Sequence, residues 1–195
     1  MKRGRMEAFS DGVVAILITI MVLELKVPHG ADLAALRSLL PVFLSYVLSF
    51  IFLGIYWNNH HHLLHAAERI SGRILWANLH LLFWLSLVPV TTHWMGENHR
   101  AALPVATYGV VLLCAAIAYV ILQQEIVRLH GPDSLLRAAL GRDDKARISL
   151  LSYAAAIALA FVWSWASIAL YIFVAMIWLV PDRRIESRLQ TPPRR

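Results

Sequence analysis

Two stretches carry side chains able to move protons, hold ions or bind a metal. The first is Arg5-Met-Glu-Ala-Phe9-Ser10-Asp11, which runs straight into an apolar block. The second is Trp57-Asn58-Asn59-His60-His61-His62 with His65, followed after a short basic gap by Trp76-Ala-Asn78-Leu-His80. A carboxylate and a serine near the start of a membrane helix are costly unless paired, so Asp11 is a site candidate whose partner must be close in space. A histidine or asparagine of the second stretch, with Arg5, could satisfy it in a hydrogen-bonded network. Such a network either clamps helices together or, through its histidines, responds to pH.

The histidine cluster also resembles the His-rich boxes of membrane di-iron oxidases and desaturases. A metal-dependent membrane enzyme would need several such boxes or added carboxylates converging on one ion. This chain offers one cluster, lone histidines at His80, His93, His99 and His130, and few acids nearby. Nucleophilic catalysis has no support: Cys114 lies inside an apolar run without an adjacent base, and neither a serine elbow nor a phosphate loop is present. No metal and no bound cofactor are expected. A TVGYG-type carbonyl filter and an acidic ring are missing too, so ion conduction would need an apolar constriction. At about 100° per residue, Phe9, Gly12, Ile20 and Leu23 fall within about 40° of Ile16 with Thr19 at the edge, while Asp11 points about 140° away from Ile16.

The elements that must position these residues are membrane helices. The 195 residues are 59% hydrophobic and 15% charged, against about 25% charged in a soluble domain. The net charge of +6 lies in short gaps between apolar blocks, which argues for membrane orientation and against nucleic acid. Spans of about 20 residues are expected near 8–25, 40–64, 74–95 and 103–125. The apolar block 148–180 reads as two short helices, near 147–161 and 165–180, with the turn at 162–167, where Trp163, Ser164, Trp165 and Ser167 combine interfacial aromatics and hydroxyls. One six-helix transmembrane domain would occupy 1–181, with a basic tail at 182–195. Six spans leave only Lys26, Arg37 and Arg100 on one side and every other Lys and Arg on the opposite side. Five spans would spread them almost evenly. The excess of basic residues in cytoplasmic loops therefore places both termini in the cytoplasm, in an inner membrane crossed several times. A few short helices rarely enclose an aqueous path, so a pore would need several copies.

The string Arg5-x-x-x-Phe9-Ser10-Asp11, the Trp57/Asn58/His61/His62 stretch, residues 78–89 and the closing Trp178-Leu-Val-Pro-Asp-Arg-Arg resemble the transmembrane protein 175 family, which includes the endolysosomal potassium channel of animals and bacterial relatives. The resemblance implies an all-α homotetramer of six-helix subunits, with the first helix of each lining a central pore that passes potassium ions. It implies pore rings at Ile16, Ile20 and Leu23, potassium preference at Thr19, and a cytoplasmic network of Arg5, Phe9, Ser10 and Asp11 with helices two and three, for which His61, His62, Asn78 and His80 are the candidates. The partners expected are copies of the chain, the lipid bilayer and monovalent cations. The alternative is a proton-permeable channel or proton-coupled transporter using Asp11 and the histidines.

Overall fold

A computed structural model describes residues 3–67, 69–131 and 144–179, and among these the chain forms helices and no strand. The expected basic tail at 182–195 and the basic residues Lys2, Arg137 and Arg142 lie outside the described residues. The helices are α1 (Arg3–Leu23), α2 (Leu33–His65), α3 (Gly72–Ser86), α4 (Val88–Glu97), α5 (Ala102–His130), α6 (Asp144–Ala160) and α7 (Ser164–Leu179).

Local chemistry explains most boundaries. Asp32 caps α2 by accepting from the Ala35 amide at 2.8 Å, and Ser71 caps α3 through the Ile74 amide, each satisfying one orphan donor of a first turn. The single span expected at 74–95 is two helices, α3 and α4. Pro89 lacks an N–H and its ring crowds the preceding turn, so the ladder breaks at Leu87. The Thr91 and Thr92 hydroxyls then donate to the carbonyls of Leu87 and Val88. Gly131 closes α5 at φ 84°, a backbone region that side chains disfavour. The apolar block 148–180 does turn, at 161–163, the near edge of the expected stretch. Ser164 and Ser167 lie inside α7 and donate to the carbonyls of Arg100 and Ala156. Hydroxyls thereby bond backbone carbonyls around the bend.

Four stretches are long and apolar enough to cross a membrane: α1, α2, α3 with α4, and α5; α7 is a shorter apolar helix. The chain is therefore a membrane protein, helical throughout the elements of its described residues. Its packing has two centres. One gathers Met6, Leu17 and Met21 of α1 with Leu53, Tyr56 and Leu64 of α2, Ile74 and Leu81 of α3, and Leu122 and Ile126 of α5. The other joins Leu48 and Phe52 of α2 to Met95, Tyr108, Leu112, Tyr153, Tyr171 and Val174. Thus α2 and α5 both run through the two centres. Two glycines allow close approach: a Cβ on Gly96 would sit 2.9 Å from the Val42 Cα of α2, and one on Gly109 would collide with the Tyr171 hydroxyl.

Candidate functional site: the first helix and its polar anchor

The sequence of α1 divides it into two faces. Met6, Ser10, Val14, Leu17 and Met21 recur every three or four residues and are buried, the stripe a helix presents to its neighbours. The opposite face holds Arg5, Phe9, Gly12, Ile16, Thr19, Ile20 and Leu23, all exposed. Ile16 is 57% and Leu23 80% accessible, where Met6 and Ser10 are 1%. The Thr19 hydroxyl donates to the Ile16 carbonyl at 2.8 Å. That satisfies its only proton and leaves oxygen lone pairs facing outward.

The buried face carries the polar anchor. The Asn78 amide of α3 donates to Ser10 Oγ at 3.0 Å, and Ser10 in turn donates to the Met6 carbonyl at 2.9 Å. Asn78 Oδ1 lies 2.7 Å from His60 Nε2; an amide oxygen only accepts, so Nε2 carries the proton. Ser10, Asn78 and His60 are all buried. In a medium without water an unpaired group of this kind would cost several kcal/mol, about the penalty of a lost hydrogen bond in hydrocarbon. The three groups therefore fix one mutual position of α1, α2 and α3. Asp11 lies beside this anchor, half-exposed, its Oδ1 accepting from the Trp57 indole N–H at 3.0 Å. Glu7, one turn earlier, contacts His61 Nδ1 at 2.9 Å, and Arg3 donates to the His65 carbonyl. At its far end, the segment just beyond α1 is tied by the ion pair of Lys26 with Glu97, itself 3.4 Å from His93 Nε2.

Structure and sequence expectation part company at several side chains. Ser10 and Asn78 meet as expected of a network between helices, whereas Asp11 takes an indole and not a histidine or asparagine. Arg5 and Phe9 face outward with the apolar stripe. His62 is exposed, its ring edge-on to that of His61 at 5.7 Å. His80 accepts from Trp84 Nε1 on its own helix at 3.0 Å. The histidine that matters for the anchor is His60. Its signal was periodicity: Leu53, Tyr56, His60, Leu63 and Leu64 form the buried stripe of α2, which His61 and His62 do not share. Among the described residues no group of three or more His, Cys, Asp or Glu side chains is placed to hold a metal ion. Cys114 is half-buried and free.

A bundle of apolar helices in which the first helix is pinned along one face by buried hydrogen bonds and left open along the other defines a polytopic helical membrane protein built around that helix. The profile of the family described as endosomal/lysosomal potassium channel TMEM175 matches residues 5–89, which contain the anchor and the open face. A potassium channel of Chryseobacterium sp. (strain P1-3) is 55% identical over 190 residues, spanning 97% of this chain and 99% of that one. One of Streptomyces collinus (strain DSM 40733 / Tue 365) is 34% identical, over 82% of each chain. The crystal structure of a lysosomal potassium-selective channel TMEM175 homolog from Chamaesiphon minutus superposes with a TM-score of 0.79 at 29% identity, covering 93% of this chain and 97% of that one. This chain belongs to the TMEM175 family.

Proposed function

We propose that the chain is one subunit of a homotetrameric, potassium-permeable channel with six membrane-crossing helices per subunit. In this reading α1 of each copy lines the pore, and Ile16, Ile20 and Leu23 form apolar rings. The observation that carries it is the composition of the open face of α1. Ile16, Ile20 and Leu23 would suit lipid, but Arg5, Gly12 and Thr19 share that face and would not. A face mixing apolar rings with a cation, a helix-weakening glycine and an outward hydroxyl oxygen suits a narrow, partly wetted path. Relatives named as potassium channels supply the ion.

The physics of such a path favours potassium modestly. An apolar ring makes an ion shed part of its hydration shell with little in return, and potassium holds its shell less tightly than sodium. The Thr19 oxygens replace some of the lost water, and the rings can gate by dewetting. The polar anchor on the opposite face sets the rotation of α1 and so decides which side chains form the rings. Arg3, Arg5, Arg69, Arg73, Arg128, Lys145 and Arg147 gather at one end of the alternating helices, against Lys26, Arg37 and Arg100 at the other. This supports an inner-membrane orientation with cytoplasmic termini.

Flux through reconstituted liposomes tests the assignment. Ile16→Asn and Leu23→Asn should raise cation flux and reduce the preference for potassium over sodium. Unchanged conductance and selectivity in both variants would remove α1 from the pore. Native mass measurement in nanodiscs should give four copies per particle, and a dimer or monomer would refute the assembly. A second reading, proton permeation, is favoured by a Danio rerio relative named an endosomal/lysosomal proton channel, 26% identical over 65% of this chain and 24% of that one. Under that reading Asp11→Asn abolishes pH-dependent flux while the assembly stays intact.

A further inference from the structure

The exposed face of the last turns of α2 carries a ladder of rings that the anchor does not use. Trp57, His61 and His65 follow at intervals of four residues. Trp57 stacks on His61 at 6.3 Å, and the His61 and His65 rings lie 6.1 Å apart and only 12° from parallel. Two histidines four residues apart on one helical face are the arrangement by which a helix chelates zinc. Chelation requires two imidazole nitrogens roughly 3.3 Å apart, the separation that Zn–N bonds of about 2.0–2.1 Å set in tetrahedral geometry.

The tautomer of the His61 ring is set by its neighbour. Glu7 Oε1 lies 2.9 Å from His61 Nδ1, and an ionised carboxylate only accepts, so Nδ1 carries the proton and a neutral ring keeps its lone pair on Nε2. A carboxylate holding the far nitrogen of a histidine is the usual outer-shell support of a metal-binding imidazole, fixing tautomer and orientation and raising basicity. No side chain hydrogen-bonds the His65 ring among the described residues; its one such contact is through the backbone carbonyl, which accepts from Arg3. Both histidines are exposed at the end of the helix, so an ion can reach them from water and complete its shell with water molecules.

We propose that His61 and His65 form a chelating site for a borderline divalent transition-metal ion such as zinc, with Glu7 as a positioning residue. Among the described residues the protein ligands are these two histidines, and water completes the shell of the ion. Glu7 belongs to α1 and His61 and His65 to α2, so an occupied site ties the heads of these two helices together. The inference stands apart from the pore assignment, because it needs neither conduction nor a tetramer.

The test is calorimetric titration of the detergent-solubilised full chain with zinc chloride, with helicity followed by circular dichroism. Wild type should bind one ion per chain at micromolar free zinc. His65→Ala and His61→Ala should each lose that binding, and His62→Ala and His93→Ala should keep it. Glu7→Gln should weaken it by about 10-fold or more at unchanged helicity, the range seen when an outer-shell partner is removed. Zinc binding that survives both His61→Ala and His65→Ala overturns the site, as does a wild type that binds none. Unchanged affinity in Glu7→Gln removes Glu7 from it. Since no flux is measured, failure here leaves the channel reading untouched.

Discussion

Helices α1 and α5 are both apolar enough to cross a membrane, yet they are held by different means. Half of the most apolar window of α5 is buried within one chain, against 28% for α1. The α5 helix packs against α3, α4, α6 and α7, and Tyr108, Leu112, Ala115, Leu122 and Ile126 are closed off on several sides. Its polar contacts reinforce that packing: Tyr108 bonds Ser49 at 2.9 Å, Ser49 Oγ lies 2.7 Å from Thr92 Oγ1, and the Val105 carbonyl accepts from Tyr171. In α1 only one stripe is covered, and the position of the helix is specified by the Ser10–Asn78–His60 anchor. A helix that keeps one face open cannot be located by burial alone, because apolar contact has no direction. Hydrogen bonds do have direction, and a buried set of them permits one rotation of the helix.

That contrast can be broken by substitution, with thermal unfolding in detergent as the measure. Tyr171→Ala should cost the most, about 3–5 kcal/mol, because it empties a fully enclosed ring site against α5 and removes the hydroxyl bond to the Val105 carbonyl. Asn78→Leu should cost about 1–3 kcal/mol through the buried Ser10 and His60 groups it orphans, and it should also alter flux, since α1 loses its rotational reference. A loss of stability with wild-type flux would separate the anchor from the open face. Ile16→Asn should change stability least, within about 0.5 kcal/mol as for surface positions away from packed features, even though its expected effect on flux is large. A strongly destabilised Ile16→Asn would mean that the open face of α1 is packed in the assembly and is not a pore wall.

Much of this was legible in the residues. Block length and low charge define a membrane protein, and the 3.6-residue period places Ile16, Ile20 and Leu23 on one face and Asp11 nearly opposite, because helix geometry alone sets those angles. Ser10 and Asn78 were found as network members because polar side chains inside apolar helices are rarely idle. The identity of each partner was not legible. Trp57 for Asp11, His60 and not His61 for Asn78, and Trp84 for His80 depend on which turn of one helix lies level with which turn of another. The division of 74–95 at Leu87 was signalled by Pro89, a local effect that needs no tertiary contact.

The sequence by itself determined which segments are helices, which face of each is apolar and where polar groups had to find partners, since all three follow from local geometry and the cost of unpaired groups in hydrocarbon. The tertiary structure decided which partners they found and which apolar stripe of α1 stayed uncovered. Those outcomes depend on the depth and rotation of whole helices relative to one another. Close approaches set these, such as Gly96 on α2 and Gly109 under Tyr171, and no spacing within a single helix encodes them.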